Sequence, residues 1–366
     1  MTRLALDRTM PYLRWHKTHR RVRYELTGSG APAMPAGELF GSHRPVCLDV
    51  RGPYGDPLVI GELARLYNVA PEQVLPVPGT SSANFVALAA ATHPGDLVLV
   101  EQPLYDPLSR VASFLRLQTR PLIREPFADF EVSPESLRQA LKEHVTAVVL
   151  TNLHNPSGRR ITREDMRRIV ECCVDYDARL IVDEVYLDAA HICLNEPRWT
   201  AAALGENVLV TSSLTKVYGL GGLRAGWLMA SPGLIERARD VVDLLHADNP
   251  APVGDLTEHA LSRIHWLEER YRNHHQAART IFTRWLDREP RVTAYPSFGA
   301  IFECLRLAGG LPGHVLNEHL AAHADTQVVP GCFFALDDHI RVGLGVPPDI
   351  LEEGLARISS TLTDLL

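Results

Sequence analysis

The sequence predicts an α/β protein with a large, doubly wound, mostly parallel sheet and a smaller α+β domain. Two observations lead to this prediction. Short, nearly continuous apolar runs alternate with amphipathic helical patterns through the middle of the chain, and after about Asp248 this alternation stops. Continuous apolar runs are typical of strands buried on both faces of a parallel sheet. Strand–helix–strand alternation indicates right-handed crossovers, which generate a doubly wound sheet.

The predicted strands of the large sheet are five runs rich in aliphatic and β-branched residues. They are residues 72–77, 96–101, 146–152, 179–186 and 207–213. Each has an apolar core of about 4–8 residues, the usual length of a buried strand. We therefore place all five in one sheet.

Two of the segments between these strands carry clear helix signals. Residues 133–144 begin with Ser133, which can cap a helix N-terminus, and Pro134 follows at the first helical position. Residues 162–177 begin with Thr162 and repeat apolar side chains at helical spacing. Both segments therefore fit the crossover helices that a parallel sheet needs.

The C-terminal part of the chain has a different pattern. Residues 247–254 contain two prolines and a glycine, which predicts a break and a hinge. A long helical stretch follows over residues 255–286, then two short strands, then a terminal helix from about Pro348. This mixture predicts a separate α+β unit.

The chain therefore divides into three predicted parts. Residues 46–248 form the large domain and residues 249–366 the C-terminal small domain. Residues 1–45 are aperiodic and rich in proline and glycine. We interpret them as an N-terminal arm that is part of the small domain.

Composition argues against several function classes. The chain has 366 residues, 46% of them hydrophobic, 22% charged, with a net charge of −7, which disfavours nucleic-acid binding through bulk charge. No apolar run approaches the roughly 20 residues of a membrane span, and no signal peptide is evident. The cysteines lack CxxC spacing, so we expect reduced, mostly buried thiols, no metal site and a cytoplasmic protein. They are Cys47, Cys172, Cys173, Cys193, Cys304 and Cys332.

Polar residues follow the end of every predicted strand of the large sheet. In chain order they are Gly79, Thr80 and Ser81, then Tyr105, then Asn155, then Asp183 and Tyr186, and finally Ser213, Lys216 and Arg224. The carboxyl ends of parallel strands meet at one edge, where ligands bind. A helix start, a serine and an arginine suit a phosphate, an acid suits a basic ring nitrogen, and a lysine suits an aldehyde. Pyridoxal 5′-phosphate carries all three groups.

Four motifs identify a family resemblance. "SSLTKVYGLGGLRAGW" resembles the lysine signature of the class I/II aminotransferases, which are fold-type I pyridoxal-phosphate enzymes. "PGTSSAN", "NPSG" and "VDEVY" match the other motifs of that family in its order. The resemblance covers the chain from about Tyr54 to the C-terminus. It implies a fold-type I PLP-transferase-like fold and pyridoxal 5′-phosphate as cofactor.

The resemblance also implies the catalytic and cofactor-binding roles. Lys216 resembles the lysine that binds the cofactor's aldehyde and later moves a proton between Cα and C4′. Asp183 resembles the acid that keeps the ring nitrogen protonated, and Tyr105 lies in the place of the aromatic ring that stacks on the cofactor. The residues that resemble the remaining cofactor contacts are Gly79, Thr80, Ser81, Ser213 and Arg224 at the phosphate and Asn155 and Tyr186 at the ring oxygen.

Substrate-binding residues follow from the same resemblance. Arg341 resembles the arginine that grips the α-carboxylate with two hydrogen bonds, with Asn155 beside it and Gly30 over the substrate. Tyr54 resembles the tyrosine that reaches the phosphate in the neighbouring subunit, which implies a homodimer with shared active sites. No contact with nucleic acid or membrane is implied.

The implied activity is amino-group transfer from an amino acid to a 2-oxo acid through a Lys216 aldimine. The alternative is a pyridoxal-phosphate lyase, decarboxylase or cyclase acting on an amino acid in specialised metabolism, because one fold runs several reactions. The lysine motif also resembles those of histidinol-phosphate aminotransferases and threonine-phosphate decarboxylases. A third alternative, a ligand sensor joined to a DNA-binding module, would need an extra domain before residue 50, for which there is no room.

The cationic N-terminal arm leaves two interpretations open. Its His16, His19 and neighbouring arginines would either face a substrate with an acidic or phosphorylated side chain or form a solvated arm, and we favour the solvated arm. Tyr12 and Trp15 are predicted to anchor the arm rather than to contact substrate.

Overall fold

The computed structural model describes residues 10–41 and 48–366. Cys47 and the parts of the predicted arm at residues 1–9 and 42–45 lie outside the described residues. No described helix is long and apolar enough to cross a membrane. The five described cysteines are unbridged, and Cys332 alone among them is exposed.

A seven-stranded mixed sheet forms the centre of the large domain. Its strands are β2 (Val74–Val77), β3 (Leu97–Gln102), β4 (Gln118–Ile123), β5 (Ala147–Thr151), β6 (Arg179–Asp183), β7 (Val208–Ser213) and β8 (Gly226–Ala230), β1 being the short strand of the arm described below. Their order is β2-β8-β7-β6-β5-β3-β4, and β8 alone runs antiparallel to its neighbours. The predicted α/β fold with a mostly parallel sheet is therefore confirmed.

Burial explains which strands the sequence revealed. All residues of β5 are buried, and Leu180 and Val182 of β6 face one apolar core while Ile181 faces the other. The five predicted strands correspond to β2, β3, β5, β6 and β7, although β6 ends at Asp183, three residues before the predicted end. Edge strand β4 was missed because five of its six residues are exposed and leave no apolar run.

Helices cover both faces of this sheet. They are α3 (Pro57–Tyr67), α4 (Thr80–Ala91), α5 (Asp106–Phe114), α6 (Pro134–Leu141), α7 (Arg163–Asp175), α8 (Leu187–Leu194) and α9 (Pro232–Leu245), α1 and α2 belonging to the arm. The two predicted crossover helices are α6 and α7. Ser133 accepts a hydrogen bond from the Ser136 N–H at 3.2 Å, and Thr162 accepts one from the Asp165 N–H at 3.1 Å, so both predicted N-caps are confirmed.

The C-terminal region is built on an antiparallel sheet. Its elements are α10 (Ala251–Ser262), α11 (Ile264–Leu286), β9 (Val292–Ala294), β10 (Phe302–Leu307), α12 (Gly313–His323), β11 (Thr326–Gln327), β12 (Val329–Pro330), β13 (His339–Gly343) and α13 (Pro348–Leu365). Four of the strands pair in the order β12-β13-β10-β9. The prediction of one long helix over residues 255–286 is wrong in two respects. The observed helical region begins at Ala251, inside the predicted break, because a helix tolerates proline in its first turn. It is also interrupted at Arg263, which separates α10 from α11.

The described part of the N-terminal arm, residues 10–41, contains regular secondary structure that the sequence analysis did not predict. Helix α1 spans Pro11–Thr18, strand β1 spans Tyr24–Glu25, and helix α2 spans Ala36–Phe40. Strand β1 pairs in parallel with β11, so the arm is hydrogen-bonded to the C-terminal region. The domain boundaries themselves stay a prediction.

Candidate active site

A cavity lies at the carboxyl edge of the large sheet, where ligands bind in open α/β sheets. Its lining residues are Thr80, Ser81, Asn84, Tyr105, Thr151, Asn155, Asp183, Val185, Tyr186, Thr215, Lys216 and Arg224. Eight of the residues predicted from the strand ends are among them, so the sheet brings together side chains that are far apart in sequence.

Lys216 follows β7 and is held against the N-terminal arm. Its Nζ donates a hydrogen bond to Ser29 Oγ at 2.9 Å. Burial lowers the pKa of Lys216; Tyr12 and Asp183 oppose the shift, and the nearby guanidinium of Arg341 adds to it. A lysine with a lowered pKa is a better nucleophile and base at neutral pH.

Asp183 ends β6 and points into the cavity as a buried carboxylate. It accepts hydrogen bonds from Asn84 Nδ2 at 2.8 Å and from the Val185 N–H at 3.1 Å. Burial raises the pKa of Asp183 to about 6, although these two bonds and Lys216 act in the opposite direction. Asp183 is therefore an anion at neutral pH that a cationic partner would stabilise further.

Asn84 is a site residue that the sequence prediction missed. It lies one turn after Thr80 on the same face of α4, and its amide is oriented because Oδ1 accepts a hydrogen bond from Thr211 at 2.5 Å. The i, i+4 spacing from a predicted site residue on the first turn of that helix was a usable signal. Asn84 thus holds Asp183 from behind.

The predicted phosphate end of the cavity is the N-terminus of α4. Four backbone N–H groups at a helix start lack partners within the helix and attract anions. Gly79 has a φ of +82°, and any Cβ there would collide with the guanidinium of Arg224, so the approach of Arg224 to the helix start requires glycine. Ser213 does not line the cavity; its Oγ accepts a hydrogen bond from Thr80 at 2.7 Å and supports it from behind.

Arg341 on β13 is a fully buried guanidinium next to the cavity. Its Nη1 donates to Asn155 Oδ1 at 2.8 Å, and its Nη2 donates to Tyr12 Oη at 2.7 Å and to the Thr27 carbonyl at 3.4 Å. Its Nε has no partner, and no carboxylate within residues 10–41 and 48–366 forms an ion pair with it. A buried cation without an anion is costly, which indicates that an anionic ligand completes this site.

Tyr105 and Tyr186 flank the cavity from two different strand ends. Burial raises the pKa of Tyr105 above its usual range and that of Tyr186 to about 12, so both phenols stay protonated at neutral pH. Because Asn155 Oδ1 is bonded to Arg341, its Nδ2 is the atom left to donate to a ligand.

Gly30 lies against the backbone of Lys216, and its place over the substrate stays a prediction. The Ala31 N–H donates to the Lys216 carbonyl at 2.7 Å, and a Cβ on Gly30 would lie 3.2 Å from that carbonyl oxygen. Tyr54 lies apart from the cavity of its own chain, with its hydroxyl 2.9 Å from Asp243 Oδ2. Its reach into a neighbouring subunit stays a prediction.

Tyr12 is buried in the arm, where we predicted an anchor, and its hydroxyl accepts a hydrogen bond from Arg341. The bond to Arg341 was not predicted. The missed signal was the helical spacing of Tyr12, Trp15, His16 and His19, which is i, i+3, i+4, i+7. The neighbouring arginines of the arm are exposed, as a solvated surface requires.

Comparisons with known proteins agree with this geometry. The family model for aminotransferase class I and II matches residues 50–358. Capreomycidine synthase of Streptomyces vinaceus is 30% identical over 305 residues, covering 79% of this chain and 74% of that protein. The residues matched by the family model include every residue that lines the cavity.

Two solved structures share the fold. A PLP-dependent aminotransferase from Streptococcus suis has a TM-score of 0.90 at 22% identity and covers 99% of both chains. The PLP-dependent cyclase OrfR has a TM-score of 0.85 at 22% identity, covering 98% of this chain and 97% of that one. The predicted fold type is confirmed, and proteins with this architecture carry out more than one reaction.

Proposed function

Because the chain belongs to the class I and II aminotransferase family, whose members depend on pyridoxal phosphate, we propose that it is an aminotransferase that moves an amino group from an α-amino acid to a 2-oxo acid. The main supporting observation is that Lys216 lines the cavity while the buried, uncompensated Arg341 is bonded to the cavity residue Asn155 and interacts electrostatically with Lys216. Amino acid and 2-oxo acid share a carboxylate, so one arginine can hold both.

The residues of the cavity fit the cofactor. Its phosphate suits the start of α4 beside Arg224, and its ring nitrogen suits Asp183, whose buried carboxylate favours a proton on its partner. When bound, the cofactor supplies an electron sink for charge that develops at the substrate's Cα. Asp183 would maintain that sink by holding the ring proton, with Asn84 fixing its orientation.

Lys216 would both attach the cofactor and carry protons. Its lowered pKa would leave more of the neutral amine available to take a proton from Cα of a bound amino acid. Arg341 would orient Cα toward Lys216 by a two-point bond to the carboxylate, using its unpartnered Nε.

The test is a half-reaction. Purified holoenzyme is mixed with single amino acids without any 2-oxo acid, and the cofactor absorbance and the products are recorded. An aminotransferase releases one equivalent of 2-oxo acid per site and stops in the aminated cofactor state. Absence of any spectral change across all proteinogenic amino acids would refute the proposal.

A second candidate is a lyase or cyclase that acts on an amino acid. The match to capreomycidine synthase, at 30% identity, is the observation that favours it. The same half-reaction separates the two candidates, because a lyase or cyclase turns over many equivalents of amino acid without a 2-oxo acid.

We also propose that the protein is a homodimer with shared active sites. Tyr54 lies away from its own cavity, and apolar side chains are exposed near it in sequence, such as Leu48 at 79% and Leu58 at 56%. Tyr54→Phe should weaken cofactor binding in a dimer, and a monomer in analytical ultracentrifugation would contradict the proposal.

A further inference from the structure

His16 on α1 is a half-buried imidazole beside the two cations of the site. Its ring stacks on Tyr12 with a centroid separation of 5.9 Å, and Tyr12 in turn contacts Arg341. Its Nδ1 is buried and has no hydrogen-bond partner among the residues the structure describes. Buried polar atoms are rarely left unpaired, so the unpaired Nδ1 needs a partner such as water or a ligand.

The charges around His16 keep its ring neutral. Burial lowers the pKa of His16 to about 4, and Lys216, Arg341 and His19 add to the shift while Glu25 opposes it. At neutral pH the ring therefore offers one donor and one acceptor and no charge.

The end of α1 is fixed next to His16. His19 Nδ1 lies 2.9 Å from the Trp15 carbonyl and its Nε2 lies 3.1 Å from Glu25 Oε2. Both ring nitrogens lie within hydrogen-bond distance of oxygen atoms, so the orientation of the ring is fixed. Because His19 is bonded to strand β1, which pairs with β11, His16 is held at the site rather than on a loose arm.

The position of His16 is set relative to a bound amino acid by two anchors. If the proposed function holds, the α-carboxylate binds Arg341 and the amino group lies at Lys216. His16 stacks on Tyr12, whose hydroxyl is bonded to Arg341, and it interacts electrostatically with Lys216, so it lies near both anchors. The substituent of Cα that is left to meet His16 is the side chain.

We propose that His16 hydrogen-bonds the side chain of the bound amino acid, and that preferred substrates carry an uncharged hydrogen-bonding group, a hydroxyl or an amide, on Cβ or Cγ. This inference rests on the proposed function. It assigns selectivity to the arm, while the chemistry stays with Lys216 and Asp183.

The test uses isosteric amino acids that differ by a hydroxyl in place of a methyl. The pairs are L-serine with L-2-aminobutyrate and L-homoserine with L-norvaline. Single-turnover rates over concentration are measured from the cofactor absorbance of the holoenzyme. The wild type should prefer the hydroxyl member of at least one pair by about threefold to tenfold, the value of one net hydrogen bond.

Two substitutions separate the hydrogen bond from packing. His16→Phe keeps a ring but cannot form the hydrogen bond, so the ratio of single-turnover rates between the hydroxyl and methyl members of each pair should fall to about one. His16→Asn keeps a polar group near the position of Nδ1, so it should retain part of the preference for the hydroxyl member. As a control, His93→Asn changes a surface histidine whose side chain is 76% exposed, and it should leave the rate ratio of each pair unchanged.

Each other outcome overturns the inference. An unchanged ratio in His16→Phe, or an equal loss for both members of each pair, would show that His16 only packs. A change in cofactor absorbance with acidic or basic amino acids alone would contradict the proposed preference for an uncharged hydrogen-bonding side chain. A holoenzyme that responds to no amino acid would remove the proposed function and this inference together, whereas a responsive enzyme with no preference removes the inference alone.

Discussion

The two sides of the cavity are built in different ways. The cofactor side consists of strand ends and the start of α4, which the hydrogen-bonded sheet places in register. The substrate side consists of the arm and β13, and its central contact joins Tyr12 to Arg341 across 329 residues of sequence. With the proposed roles, the difference teaches that the chemistry would depend on the sheet, whereas substrate recognition would depend on how a short helix packs.

Lys216→Ala tests the cofactor side most severely. Removing both the covalent attachment and the proton carrier should lower turnover by at least about 10⁴-fold and abolish the visible absorbance of the bound cofactor. Lys142→Ala, at an exposed lysine of the same domain, is the matched control. Turnover near the wild-type rate in Lys216→Ala would refute the whole assignment.

Asp183→Asn should leave the cofactor bound and slow proton removal from Cα. An amide cannot hold the ring proton by charge, so we expect a loss of about 10³-fold in kcat. Glu164→Gln removes an exposed carboxylate and should have no effect. Unchanged kcat in Asp183→Asn would remove Asp183 from the mechanism.

The pKa of Asp183 also predicts a pH dependence. With a pKa of about 6, the unliganded carboxyl is protonated below that pH, and binding of the protonated cofactor ring must then expel a proton. Cofactor affinity should therefore fall about tenfold per unit as pH decreases below about 6. Equilibrium dialysis at several pH values measures this, and Asp183→Asn should lack the decrease.

Arg341→Ala tests the substrate side. Losing a buried, charge-assisted bond to the carboxylate should raise the KM for the amino acid about a hundredfold, while the cofactor spectrum stays as in the wild type. Arg306→Ala, at an exposed arginine of neighbouring β10, is the control. An unaltered KM would mean that another group holds the carboxylate.

Tyr12→Phe should have the smallest of these effects. It keeps the ring but removes the hydroxyl from Arg341, so the KM should rise about tenfold and cofactor affinity should not change. Tyr24→Phe removes a hydroxyl elsewhere in the arm and should leave both the KM and the cofactor affinity unchanged. A loss of cofactor affinity in Tyr12→Phe would break the division between the two sides.

The same division explains what the sequence could predict. Residues at strand ends, such as Asp183 and Lys216, follow apolar runs that are visible locally, and a sheet then fixes where they meet. Arg341 was assigned only through family resemblance. Its partners, and the orphaned nitrogen of His16, depend on long-range packing that no local pattern encodes, although the helical spacing from Tyr12 to His19 was readable.

The compact arm has an evolutionary consequence. Helix α1 is eight residues long, is tied down at His19, and contributes Tyr12 and His16 without supplying any residue to the predicted phosphate or ring contacts. With the proposed roles, substitutions that arise in this one helix during evolution would change which amino acid is accepted and leave the predicted cofactor contacts unchanged.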